Sequence, residues 1–260
     1  MFTLGNLVCG FFAIVVAANV DRPTSVVLDP LDSGHLMLSG WLIFLAMVFD
    51  ALDGHVARLS KSTTDFGAQL DSLCDLVTFG VAPAFLLVKM CPRIEYMHRE
   101  GVWIIATLYV ACAAMRLARF NVESTGDEED HLHFSGLPSP AAAASIAGFA
   151  IMFHTLRKED SALMYAAQID QVLQMVLPLF AVFVALLMVS RVPYPHVVNQ
   201  VFRGQRSFGH VVGVVFALVV VMIIKGYAVP IICGAFVLVG PIRFAWEKYT
   251  QRRHQEEPLF

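Results

Sequence analysis

Eight apolar stretches, each close to the ~20 residues with which a helix crosses a hydrocarbon layer, fill most of this chain. They run approximately over Leu4–Val20, Leu36–Leu59, Phe66–Met90, Val102–Phe120, Pro138–Leu156, Ile169–Ser190, His210–Tyr227 and Val229–Trp246. In lipid every backbone N–H and C=O must find its partner inside the protein, so repeated stretches of this length predict helices. The expected fold is all-α: a polytopic transmembrane bundle of about eight helices, forming one integral membrane domain over residues 1–260. Composition agrees. Only 15% of the residues are charged, against about 25% in soluble domains, and the mean hydropathy is +0.67. A net charge of −3 gives no argument for nucleic acid, and none is expected as a partner.

Details of these stretches refine the expectation. The first has no basic leader and no convincing A-x-A-like cleavage site, so it reads as a structural helix rather than a signal peptide. Asn6 near its start is expected to face a functional site. The third begins with polar residues, which suits a helix lining a cavity. The last two are separated only by a tight connection over Gly226–Pro230. Five cysteines, Cys9, Cys74, Cys91, Cys112 and Cys233, show no C-x2-C spacing and are expected as buried thiols. His131 and His133 beside the acidic run Asp127–Asp130 read as a solvated loop.

Charge orients the bundle. With the N-terminus in the cytoplasm, the loops on that side and the C-terminal end carry eleven Lys and Arg, against seven on the other side. The bias has the sign of the positive-inside rule. It predicts a multi-pass protein of an inner or cytoplasmic membrane, with the connection between the second and third stretches facing the cytoplasm.

That connection carries the chemistry. Asp50, Asp53, Asp71 and Asp75 lie at or inside two membrane-length segments, where an ionised carboxylate needs a partner or a water-filled cavity. Asp50, Asp53, Gly54, Ala57 and Arg58 fall on one helical stripe, and Gly67, Asp71 and Asp75 on a second. Two acids from each of two helices form an oxygen-rich nest for one or two hard divalent cations. Gly54, Ala57 and Gly67 leave room on the acid faces, and Arg58 offers a fork suited to phosphate. Cations, an arginine and open space describe a site for phosphoryl groups. A buried charge network that only ties helices together is the competing reading.

The string D-x2-D-G-x2-A-R-x8-G-x3-D-x3-D from Asp50 to Asp75 resembles the signature of the CDP-alcohol phosphotransferases, membrane enzymes of phospholipid synthesis. All eight fixed positions are filled. The segments T-L-G-N-L-V-C-G-F-F-A-I, D-S-L-C-D-L-V-T-F-G-V-A-P-A, R-L-A-R-F-N and F-S-G-L-P-S-P-A-A-A are similar to the membrane-integral phosphatidylserine synthases within that family. This likeness runs from residue 3 to about 145.

The resemblance implies a reaction. The phosphatidyl group of CDP-diacylglycerol would pass to the hydroxyl of L-serine, releasing CMP. A two-metal site, Mg²⁺ or Mn²⁺, would be held by Asp50, Asp53, Asp71 and Asp75, with Asp75 also the general base. Asn6, Asp50, Asp53, Gly54, Ala57, Arg58, Gly67 and Asp71 would surround the CDP moiety. The lipid tails would stay among the membrane lipids, and a homodimer is implied. The serine carboxylate needs a cation, for which Arg116 and Arg119 are candidates, and Thr78 follows Asp75 by three residues. Two alternatives stay open: a sister enzyme that uses glycerol phosphate or an inositol phosphate, and an ion-coupled transporter with aspartates on its path.

Overall fold

The computed structural model describes residues 2–20, 30–60, 65–91, 99–123, 136–158, 166–192, 194 and 225–255. Among these residues the protein is all-helical and has no strand. We number the helices α1 (Phe2–Ala18), α2 (Pro30–Ser60), α3 (Asp65–Asp75), α4 (Ala82–Met90), α5 (Arg99–Glu123), α6 (Ser139–Lys158), α7 (Ala166–Val189) and α8 (Ala228–Gln255). A π-helical segment, Leu76–Val81, joins α3 to α4 without a break in the rod. A 3₁₀ turn, Lys225–Tyr227, leads into α8.

Counted as rods, these are seven. Five are long and apolar enough to cross a membrane: Asp32–Gly54, Phe66–Met90, Glu100–Val122, Ser139–Arg157 and Gln168–Val189. Phe2–Ala18 and Ala228–Phe244 are apolar but shorter. Of the stretch expected over His210–Tyr227, only the 3₁₀ turn belongs to the described residues.

The bundle is apolar outside and small inside. On α1, Leu4, Val8, Phe11 and Phe12 point outward while Asn6, Cys9, Gly10, Ala13 and Ala17 are buried. Water does not drive such helices together, so close backbone approach supplies the packing. α6 is the central case. Its buried Ala142, Ala143, Ala147 and Ala150 let α2, α7 and α8 all pack on it. A Cβ on Gly40 of α2 would come within 3.0 Å of the Ala147 carbonyl. Cys9, Cys74, Cys91 and Cys112 are buried free thiols and Cys233 is partly buried.

A proline inside an α-helical rod frees the carbonyl four residues earlier. Beside Pro83, where the π segment gives way to α4, the Tyr109 hydroxyl of α5 donates to the Phe79 carbonyl at 3.3 Å. Pro241 would leave Val237 O unbonded, and the Tyr194 hydroxyl donates to it at 2.9 Å. Both tyrosines are buried. Neighbouring elements thus repair the ladder where water is absent.

Tertiary hydrogen bonds distinguish the two ends of the bundle. At one end Ser33 of α2 meets His154 of α6 (3.0 Å), and Arg157 of α6 meets Asp170 of α7 (3.0 Å). At the other, Arg116 of α5 donates to Ser139 at the start of α6, and Arg119 to Val189 at the end of α7. Alternating helix direction brings the start of α1, the end of α2, α3 and the end of α5 to that second end.

Candidate active site

α2 and α3 approach each other there and bring three of the four signature acids together. One carboxylate oxygen from each of Asp50, Asp71 and Asp75 lies within 4.8 Å of the others. Asp75 is 9% exposed, and the other two are half-buried. Asp53 stands beside this trio, with its Oδ2 accepting a hydrogen bond from the Thr3 hydroxyl. Its charge still acts on Asp50 and Asp71. Four like charges in a partly dehydrated place repel strongly. The all-oxygen donor set and its spacing fit a hard divalent cation.

The Asp75 end of α3 is built by the π segment. Its wider turn begins directly after Asp75 and holds buried Thr78, Phe79 and Gly80. π turns inside α-helices recur at functional sites because they re-aim side chains. α1 packs on this turn at Gly10, where a Cβ would fall 2.8 Å from Thr78 Cα. Only glycine permits this approach. It brings the Asn6 amide to Asp75, donating from Nδ2 to Oδ1 at 2.8 Å. The Thr78 hydroxyl donates to the Asn6 backbone carbonyl at 3.2 Å. Thr78, expected near the acceptor alcohol, is thus engaged with α1, and Asn6, expected at the nucleotide, is engaged with Asp75.

The two arginines of R-L-A-R separate. Arg116 donates from Nη1 to Ser139 Oγ at 2.7 Å, and its charge acts on both Asp50 and Asp75. Arg119 donates to the Val189 carbonyl at 3.1 Å, where a cation stabilises the C-terminal end of α7. Gly54 is exposed and a Cβ there would meet nothing within 4 Å, so the acid face of α2 has open space beside it. Gly67 is likewise exposed. Ala57 and Arg58 lie on α2, with side chains outside the described set.

Two participants are absent from the sequence reading. Thr3 on Asp53 had a signal: Thr3 and Asn6 are spaced i, i+3 on an otherwise apolar helix, so they share a face. Ser139, the partner of Arg116, lies in the F-S-G-L-P-S-P segment but had nothing in its spacing to mark it.

The profile of the CDP-alcohol phosphatidyltransferase family matches residues 1–187. The chain belongs to this family. It is 35% identical over 169 residues to a CDP-diacylglycerol–serine O-phosphatidyltransferase of Methanocaldococcus jannaschii, covering 64% of this chain and 68% of the relative. It is 27% identical over 247 residues to the protein of that name from Helicobacter pylori strain 26695, covering 94% and 89%. Archaetidylserine synthase of Methanothermobacter thermautotrophicus is 39% identical over 118 residues, 45% of this chain and 47% of that one. This family member is a transferase, and its matched region contains every acid of the cluster.

Proposed function

We propose that this protein transfers the phosphatidyl group of CDP-diacylglycerol to the hydroxyl of L-serine, forming phosphatidylserine and CMP. The observation that carries the proposal is the convergence of Asp50, Asp71 and Asp75 within 4.8 Å beside Arg116, in a chain whose relatives are named for that reaction. Bound Mg²⁺ or Mn²⁺ would neutralise diphosphate charge and stabilise the leaving CMP.

The chain's own residues do the rest. Asp50, Asp53, Asp71 and Asp75 would hold the cations. Gly54, Ala57 and Gly67 leave room for the cytidine and ribose, and Arg58 supports the nucleotide. Asp75 takes the proton from the serine hydroxyl. The serine oxygen bonds to the β-phosphorus, the bond from that phosphorus to the bridging oxygen breaks, and the electron pair leaves with CMP. Asp75 suits the base role because it is the most buried of the trio, and a base must lie within hydrogen-bond reach of its proton.

Acceptor choice follows from cations. Among the described side chains, Arg116 is the cation whose charge acts on Asp50 and Asp75, while Arg119 turns to Val189. One guanidinium matches one serine carboxylate. A phosphate-bearing alcohol would want several. We place the acid end of the bundle at the cytoplasmic face, as the charge bias predicts, within one membrane domain that works as a homodimer.

An acceptor screen tests this reading. With purified protein, CDP-diacylglycerol and Mg²⁺ or Mn²⁺, CMP release is expected with L-serine and not with glycerol phosphate or an inositol phosphate. Release with one of those phosphates and none with serine would contradict it. Absence of release with every alcohol would also contradict it.

A further inference from the structure

We infer that Thr3 and Asn6, one face of α1, are positioning residues that hold one carboxylate from each of the two acid-bearing helices. The Thr3 hydroxyl is on Asp53 of α2, and the Asn6 amide is on Asp75 at the end of α3. The two donors are one helical turn apart, so α1 acts as a rigid ruler between the acid pairs. This inference rests on the proposed reaction, in which those acids bind cations and Asp75 takes a proton. It assigns Asn6 to Asp75 instead of to the nucleotide.

Three observations make the contact more than packing. First, Asn6 is 0% exposed and its Oδ1 has no hydrogen-bond partner. An amide buried with half of its capacity unmet is unfavourable for stability. A residue kept only to pack α1 would be better as an apolar one. Second, the contact is itself supported. Thr78, one turn beyond Asp75, fixes the Asn6 backbone carbonyl, and Gly10 admits α1 against Thr78. Third, the bond orients the acid. With Asp75 Oδ1 held by Asn6, the other oxygen, Oδ2, remains for a proton or a cation. Groups that hydrogen-bond a ligating or reacting carboxylate restrict its orientation and commonly contribute 10–100-fold to metal affinity or rate.

The test uses the full-length protein in detergent, with Mn²⁺ as the probe, read by electron paramagnetic resonance, and CMP release measured beside it. Asn6→Leu keeps the volume, removes the donor and suits an apolar interior. It should lower kcat by about 10–100-fold and weaken Mn²⁺ binding, with KM for CDP-diacylglycerol moving less than about threefold. In an Asp75→Asn background the same change should alter Mn²⁺ affinity by less than about twofold, because its effect passes through the carboxylate. Thr3→Val should weaken Mn²⁺ binding and Thr3→Ser, which keeps the hydroxyl, should restore it. Asn6→Ala serves the same cycle if Asn6→Leu does not fold. Equal weakening with and without the Asp75 carboxylate overturns the inference, as does a parental kcat in Asn6→Leu. Mn²⁺ binding needs no acceptor, so failure of serine in the acceptor screen would contradict the reaction and leave this result readable.

Discussion

Two charged places inside this bundle behave in opposite ways. At the far end, Arg157 and Asp170 face each other at 3.0 Å with side chains 8% and 7% exposed, and the guanidinium also lies 5.1 Å from the centre of the Phe153 ring. That pair is internally balanced. At the site end, four carboxylates act on one another and, among the described side chains, Arg116 is the cation whose charge acts on them. Among the described side chains, that cluster is not balanced. A buried ion pair holds helices without outside help, although removing one partner is costly. A cluster of like charge is costly there, and a cation from outside would lower that cost. The difference distinguishes a fastener from a candidate site.

The largest expected effect falls on catalysis. Asp75→Asn keeps the shape and an oxygen but cannot take a proton at neutral pH. CMP release should fall by about 10²–10⁴-fold, while stabilisation of the protein by CDP-diacylglycerol persists. A near-parental rate would remove Asp75 from the base role.

Stability should move in opposite directions at the two places. Asp170→Asn leaves Arg157 buried and unbalanced, and should lower unfolding stability by about 3–5 kcal/mol. Asp71→Asn removes one of four repelling charges, so in excess chelator its unfolding midpoint should rise above the parent's while CMP release falls. Thermal unfolding of both variants checks this, and a fall in both would erase the contrast.

A smaller effect divides the arginines. Arg116→Ala should raise the KM for serine about tenfold, the worth of a charge-assisted contact, with the KM for CDP-diacylglycerol nearly unchanged. Arg119→Ala should instead lower the unfolding midpoint, by removing a donor from the Val189 carbonyl, and leave both KM values alone. Steady-state kinetics with each substrate varied separates the two, and a matching raised KM in Arg119→Ala would contradict it.

What the sequence disclosed follows from range. Helices and acids are local matters: apolar length marks rods such as Phe66–Met90, and i, i+3 and i, i+4 spacing put Asp50 with Asp53 and Asp71 with Asp75 on shared faces. Partners across the bundle are not local. Arg116 and Arg119 share one helix face, and their partners Ser139 and Val189 tell them apart. Arg157 and Asp170 are joined across a connection, thirteen residues apart, at no helical spacing. The π segment after Asp75 and the hydroxyls of Tyr109 and Tyr194 on carbonyls near prolines depend on packing that no periodicity encodes. Thr3 lay within reach, because a polar pair one turn apart on an apolar helix is itself a signal.

The imbalance of the acid cluster has a direct thermodynamic consequence. Thermal unfolding of the purified protein should be followed in excess chelator and then across a Mg²⁺ or Mn²⁺ titration, beside Asp50→Asn. A cation that binds only the folded protein adds about 2.7 kcal/mol at a hundred times its Kd. The parent midpoint should therefore climb with metal and the Asp50→Asn midpoint should climb much less. A parent midpoint that ignores the metal, with full CMP release in chelator, would contradict a cation-completed site.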